Sequence, residues 1–220
     1  MGGKKQRKGL LGAQKEQPAP AQPSASGPSR VLLLRHGESE ANASRRDVPD
    51  ALLTEHGRQQ AGCWKGQIAR FGAECVLVSP LRRAIETALL AFDGVHVPIE
   101  VCRHARELWW EEQANTPSKP EVLYALLKGL PQGDEVCGVE AALEESGSTP
   151  QSESESIVAL KVALGARTEE CVAVVCHWGV INALCGDGAD NCTLVECRRT
   201  QSGKLVVERS HDHPRIPKGR

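Results

Sequence analysis

The sequence predicts an α/β fold, a three-layer α/β/α sandwich with a mostly parallel central sheet. Three short runs, VLLL (31–34), VLV (76–78) and VAVV (172–175), are wholly apolar and bounded by polar residues. Runs of that kind fit strands buried on both faces, the condition of a parallel sheet covered by helices. Helical periodicities separate the runs, and a chain that alternates strand and helix builds this architecture through right-handed crossovers.

Ordered structure is expected to begin near Arg30. Leu53, Gly57, Ala61, Trp64, Ile68 and Phe71 recur at steps of three or four residues, lining one face of a helix that Thr54 caps. Leu81, Ile85, Leu89 and Phe92 repeat the pattern, with Pro80 expected in the first turn, where a missing N–H is tolerated. VHVPIEV (95–101) reads as a strand near an edge, because Pro98 cannot donate to a ladder. Pro117, Pro120, Pro131 and Pro150 interrupt a variable, cap-like segment, 108–155, expected to hold short helices around 121–129 and 135–145. Ile157, Leu160 and Leu164 give a helix, VAVV a strand, residues 178–185 a helix and TLVEC (193–197) the last strand. This divides the chain into a tail (1–29), one catalytic-sized domain (30–200) and a C-terminal strand or tail (201–220).

The 220 residues carry 27 basic and 28 acidic side chains, and only 3% are aromatic. Polyanionic partners are usually met by a basic excess and by stacking rings, so neither a nucleic acid nor a membrane surface is an expected partner. No stretch approaches the ~18 apolar residues of a membrane span, and no secretory leader is evident. Residues 1–29 hold one acid, Glu16, among Lys, Arg, Gln, Pro, Ala and Ser, and read as a disordered tail, with an organelle transit peptide as the alternative. Gly2 resembles a myristoylation start, although Gln6 stands where Ser or Thr belongs, and Lys4, Lys5, Arg7 and Lys8 fit a nuclear signal. Nine cysteines at 63, 75, 102, 137, 171, 176, 185, 192 and 197 include no C-x-x-C pair. They read as thiols in a reducing, cytoplasmic setting rather than as disulfides or zinc ligands. Nothing in this pattern fixes an oligomeric state.

The residues just beyond each strand carry the chemistry. VLLL runs into Arg35, His36 and Gly37; VLV into Ser79 and Pro80, with Arg83 shortly beyond; VAVV through Cys176 into His177 and Gly179. Ligands of open α/β sheets bind outside the carboxyl ends of the strands, so two histidines and two arginines should meet in one crevice. Gly37 and Gly179 are expected to allow an unusual turn and close approach of a ligand, and helix N-termini to add N–H donors. Such a pocket suits a dianion like a phosphate monoester. No metal-binding pattern accompanies it, so no metal and no cofactor is expected, and guanidinium and imidazolium groups take over charge stabilisation.

LLLRHGESEAN (32–42) resembles the signature of the histidine phosphatase superfamily, the phosphoglycerate mutase-like enzymes. LTEHGRQQA (53–61), SPLRRAIETA (79–88) and VVCHWG (174–179) resemble that family's later motifs, in the same order. The resemblance covers about 30–200 and implies a phosphoglycerate mutase-like fold and a metal-independent phosphomonoesterase. His36 would accept the phosphoryl group and pass it to water. Arg35, Arg83 and His177 would clamp that group, with Arg83 selected over Arg82 by its spacing from Ser79 and the following Ala84. Asn42 matches the family's asparagine on the phosphoryl oxygens, and Ser39 shares its loop. The proton donor is expected in HARELWWEE (104–112), where Glu107 follows Arg106 as in the family and Glu111 stands in reserve. That acid must be protonated when the alcohol leaves and ionised when water attacks, and a nearby phosphate dianion would raise its pKa.

Two other functions are weighed against this one. In a mutase the phosphohistidine is passed back to a sugar acid, but mutases of the family usually continue with a Gly-Trp segment, where this chain runs RRDVPDALLTEHG (45–57). A non-catalytic phosphate-binding scaffold would typically lack the nucleophile or the acid. The substrate is expected to be a small phosphorylated molecule or a phosphoprotein. Heavily phosphorylated ligands such as phytate should be repelled by ten acids in 108–155 (111, 112, 121, 134, 135, 140, 144, 145, 153 and 155). Trp109 and Trp110 could contact substrate or pack on the sheet's rim. His211, Asp212 and His213 read as solvated tail rather than metal ligands, and QSESES (151–156) as a helix cap rather than a phosphorylation target.

Overall fold

A computed structural model describes residues 27–144 and 152–216 of the chain; the expectations for Gly2, the basic N-terminal cluster, Glu145 and Pro150 lie outside the described residues. The sheet holds seven strands: β1 (Arg30–Arg35), β2 (Cys75–Val78), β3 (Ile99–Val101), β4 (Val136–Cys137), β5 (Cys171–Cys176), β6 (Leu194–Arg199) and β7 (Leu205–His211). Their order is β4-β3-β2-β5-β1-β6-β7. The first five positions pair in parallel, whereas β6 and β7 close the far edge antiparallel. The fold is the expected α/β sandwich.

Alternation along β1 shows why its run is unbroken. Leu32 and Leu34 enter a core with Val76, Val78, Ala173 and Val175, while Val31 and Leu33 enter a second core with Leu77, Val172 and Val174. The first core is covered by α2 (Glu55–Gly62), α3 (Arg82–Ala91), α4 (Pro120–Leu127) and α5 (Val139–Leu143), the second by α6 (Glu153–Gly165) and α7 (Trp178–Cys185). Each such Leu or Val adds about 1.5–3 kcal/mol on burial, so a polar residue in β1 would be costly on either face.

Several elements differ in extent from the sequence reading. The helix capped by Thr54, whose side chain accepts from the Gly57 N–H, ends at Gly62. Left-handed steps at Gly66 (φ +73°) and Gly72 (φ +69°) then leave only a 3₁₀ turn, Ile68–Phe71, although Trp64, Ile68 and Phe71 still reach the core. Pro80 lies just before α3 rather than in its first turn, because Leu81 is the N-cap. β3 starts only after Pro98, and β4 forms the edge beside it. Ser152 caps α6 as expected, accepting from the Glu155 N–H.

The strand expected to be last is followed by β7, and this corrects the reading of the tail. His211 ends β7, bonds Glu196 at 3.3 Å and meets the Phe71 ring edge-on at 4.9 Å. Asp212 accepts from the Thr193 hydroxyl at 3.3 Å. His211 is therefore a packing residue, whereas Asp212 is exposed, and no metal-binding group of His, Cys, Asp and Glu occurs among the described residues.

The glycines of two motifs are explained by one contact. Gly37 has no left-handed φ. A Cβ there would come within 2.5 Å of the Gly57 carbonyl oxygen, and a Cβ on Gly57 would fall on the backbone of Glu38. The turn after β1 and the start of α2 thus pack backbone to backbone, which places His36 against α2 and α3. Gly57→Ala should cost about 1–3 kcal/mol in chemical denaturation. Gly62→Ala, where a Cβ meets nothing within 4 Å, should instead be neutral or stabilising by up to about 1 kcal/mol.

Candidate active site

His36 lies one residue beyond β1, with 3% of its surface exposed. Its Nδ1 is 2.7 Å from the Gly37 carbonyl oxygen. A carbonyl only accepts, so Nδ1 carries the proton and donates, and Nε2 is left with its lone pair. Arg83 Nε–H approaches that lone pair at 3.3 Å, a long contact that an incoming electrophile can replace. The loop before β6 fixes the turn from behind: the Asn191 side chain and the Cys192 N–H both donate to the His36 carbonyl.

Burial lowers the His36 pKa well below that of a free imidazole, and the charges of Arg83 and Arg35 lower it further. The ring is therefore neutral, as a nucleophile must be.

Arg83, in the first turn of α3, is 4% exposed. Its Nη1 donates to the Ala114 carbonyl at 2.6 Å and its Nη2 to Asn115 Oδ1 at 2.8 Å. Burial pulls its pKa down to about 10, so it stays charged at neutral pH. Arg82 turns away, its Nε donating to the Asp50 carbonyl at 2.7 Å, which is why only one of the two adjacent arginines enters the site. Arg35 donates to the Ala189 carbonyl at 2.8 Å.

His177 follows β5, its ring 5.0 Å from that of His36. Its Nε2 lies 2.7 Å from the Ser79 hydroxyl, which also accepts from the Leu81 N–H. A Ser79 hydroxyl that donates to Nε2 leaves the proton of the neutral ring on Nδ1. That Nδ1 and the Nε of Arg35 are buried without a hydrogen-bond partner among the described residues. Two such donors beside a nucleophile fit the oxygens of a phosphoryl group. Burial, then Arg83, pushes the His177 pKa well down too.

Glu107 and Glu111 separate clearly. Glu107 is 7% exposed and lines the pocket, whereas Glu111 is exposed and does not. Glu107 accepts from the N–H groups of Leu108 (2.9 Å) and Gly179 (3.3 Å). Burial nevertheless raises its pKa, outweighing the backbone bonds and the arginines that lower it. The expected elevation thus exists before any phosphate is bound. Gly179 serves this carboxyl rather than a substrate, since a Cβ there would lie 2.6 Å from Glu107 Oε1.

Asn42 and Ser39 line the pocket, but in a capping box. Ser39 Oγ accepts from the Asn42 N–H, and Asn42 Oδ1 accepts from the Ser39 N–H and from Asn191. Asn42 is exposed and keeps its amide N–H donors for a ligand, whereas the Ser39 hydroxyl is committed to the cap. The sequence reading missed Asn115, Asn191, Arg45 and Arg46. Asn115 is 3% exposed and joins Arg83 to the carbonyls of Leu108 and Trp109.

The pocket has a volume of about 560 Å³, and Arg45, Arg46, Asp47 and Glu112 complete its wall. Of the ten acids expected to overhang it, Glu112 alone of those described does so. The acidic cap expected to repel heavily phosphorylated ligands is therefore not built, and arginines balance the acids at the pocket wall. A second cavity of about 360 Å³, lined by Arg103, His104, Arg106 and Trp110, holds neither His36 nor His177. No helix among the described residues is long and apolar enough to cross a membrane.

Positive charge gathered around a single imidazole lone pair, at the carboxyl ends of parallel strands, makes an α/β site suited to hold a phosphoryl group. The chain belongs to the histidine phosphatase superfamily (branch 1), whose family model matches residues 31–211. A bifunctional protein of Mycobacterium tuberculosis is 40% identical over 77 residues, 34% of this chain and 21% of its own. A glucosyl-3-phosphoglycerate phosphatase of Mycolicibacterium vanbaalenii is 34% identical over 80 residues, 36% of each chain. These matches thus span well under half of either relative. Among solved structures, phosphoglycerate mutase from Bacillus anthracis superposes with a TM-score of 0.58 at 19% identity, covering 84% of this chain and 93% of its own, a likeness of fold.

Arg83→Lys should weaken binding of inorganic phosphate about 10–100-fold by titration calorimetry. A lysine keeps the charge but cannot use Ala114 and Asn115 to aim two donors at once.

Proposed function

We propose that the chain hydrolyses phosphomonoesters through a phosphohistidine on His36, with Glu107 as the general acid and base. The observation that carries this reading is the Nδ1–H bond from His36 to its neighbour's carbonyl, which leaves the Nε2 lone pair turned to Arg83 in a pocket that also holds a buried carboxyl of raised pKa. Nε2 attacks phosphorus and the ester P–O bond breaks, with the Glu107 proton going to the departing oxygen. Water then attacks phosphorus, Glu107 takes its proton, the P–N bond breaks and inorganic phosphate leaves. Arg35, Arg83, His177 and Asn42 stabilise the transferring oxygens, supplying from side chains the charge that a metal supplies elsewhere.

Hydrolysis is preferred to mutase transfer because residues 45–57 lack the Gly-Trp segment of the mutases. A non-catalytic scaffold would have no need of a buried acid beside the nucleophile. The substrate is read as a small phosphorylated molecule, with a phosphoprotein side chain as the alternative. Nine free thiols suit a cytoplasmic, reducing setting, and residues 30–200 are read as the catalytic unit.

His36→Ala should abolish release of p-nitrophenolate from p-nitrophenyl phosphate, and equal activity of the two proteins would defeat the reading. Glu107→Gln should behave differently. Nitrophenolate leaves without a proton, so a burst equal to the enzyme concentration should survive, while steady turnover falls about 10²–10⁴-fold for want of a base.

The two shifted groups set a pH profile. His36 titrates below an ordinary imidazole, so kcat/KM rises as pH climbs through that lowered value. Glu107 titrates above an ordinary carboxyl, so kcat/KM falls as pH climbs through that raised value. A bell on the acid side of neutrality is expected, and Glu107→Gln should lose the falling limb from its residual rate.

A further inference from the structure

The pocket is larger than a phosphoryl group needs, and one part of its wall is aromatic. Trp109 and Trp178 both line it, and their indoles stack with centroids 6.2 Å apart and planes 23° from parallel. They are 42% and 41% exposed, among the few large apolar side chains left open to solvent. Trp110, the neighbour in sequence, takes no part: it lies beneath the Arg106 guanidinium, 4.9 Å from its centroid, and does not line this pocket.

The position of Trp109 is imposed by the backbone. Its φ of +59° lies in the left-handed region, where a bulky residue is an outlier. The Trp109 carbonyl accepts from Asn115 Nδ2 at 3.2 Å and from the Glu112 N–H at 3.1 Å, and the next N–H, that of Trp110, donates to Glu153 at 3.1 Å. Each indole is seated on a glycine. A Cβ on Gly179 would come within 3.0 Å of the Trp109 ring, and one on Gly188 within 3.1 Å of Trp178 Nε1. Strain held by part-buried hydrogen bonds, with two glycines making room, keeps an apolar surface at the mouth of a polar site. Packing does not call for it, because the rings are left half-exposed.

We infer that Trp109 and Trp178 form a leaving-group subsite for a planar, apolar ring, so that the preferred substrates are phosphomonoesters carrying such a ring close to the ester oxygen. This rests on the phosphatase reading for the fate of the phosphoryl group. Asn115 connects the two halves: the amide that accepts from Arg83 also holds the Trp109 carbonyl, so phosphoryl clamp and ring platform are positioned together. A ring laid on the indoles gains stacking and hides apolar surface that water now covers, which an alkyl chain does less well.

The test compares 2-phenylethyl phosphate with butyl phosphate, two primary alkyl esters of similar leaving-group acidity that differ in the ring. The wild-type ratio of kcat/KM should favour the ring by about tenfold or more. Trp109→Ala and Trp178→Ala should each bring the ratio towards one, and Trp178→Phe should preserve it. A wild-type ratio near one, or a ratio untouched by both alanine variants, would overturn the subsite. Calorimetry with the matching non-hydrolysable phosphonates reads the same preference as binding. Preference for phenylethylphosphonate that depends on both tryptophans, without turnover of either ester, would uphold the subsite and sink the phosphatase reading. Turnover of both esters without preference would do the reverse.

Discussion

Arg83 keeps a full positive charge in a place where 4% of its surface reaches solvent. Burying an unpaired cation is costly, and here no carboxylate neutralises it directly. One donor each from Nη1, Nη2 and Nε goes to the Ala114 carbonyl, the Asn115 amide and the His36 lone pair, which leaves an N–H on each Nη for a ligand. The charge is thus left uncompensated at the one spot where a dianion can complete it. The same charge, after burial itself, pushes both histidines towards the neutral form, while burial raises the Glu107 pKa against it. One guanidinium therefore helps to tune His36, His177 and Glu107 together. A phosphate entering the site would reverse part of that field, favouring the charged form of the imidazoles as the reaction begins.

The surrounding fold exists to hold that cluster still. β5 lies between β1 and β2 in the sheet, so the three strand ends that supply His36, Ser79 and His177 are immediate neighbours. The close backbone contact between Gly37 and Gly57 sets the turn after β1. Glu86, itself buried, accepts from the Leu53 N–H and pairs with Arg58, tying the loop before α2 to the body of α3. Asp47 accepts from the N–H groups of Gln113 and Ala114, fastening the arginine-bearing loop to the segment that holds Arg83. Loops carry most of the chemistry, and two carboxylates, Glu86 in the interior and Asp47 at the surface, hold them in place.

Much of this was legible in the sequence, for reasons that can be named. Apolar runs, the Thr54 cap and residues at strand ends are local signals, and they placed Arg35, His36, Arg83 and His177 near one another, while Glu107 came only from the family resemblance. Asn115 left no such signal, because an asparagine in a proline-broken loop usually means only a turn. Its importance comes from a contact with Arg83 across 32 residues of chain. Gly37 was legible as necessary but not for the right reason, since the backbone that approaches it belongs to Gly57. β7 was left open between strand and tail, and His211 was read as solvated, because an edge strand with one solvated face lacks the apolar run that marked β1 and β5. The acids of 108–155 misled because composition gives no direction, and the fold turns most of them away from the pocket.

The central claim is that His36 Nε2 becomes covalently bound to phosphorus. Rapid quenching of the wild-type enzyme in base during turnover of a phosphomonoester, followed by peptide mass spectrometry, tests it most directly, because phosphoramidates survive alkali and decay in acid. A phosphoryl group on His36, formed fast enough to account for turnover and lost on acid treatment, is the predicted result. Turnover with an unmodified His36, or with the group on another residue, would contradict the account.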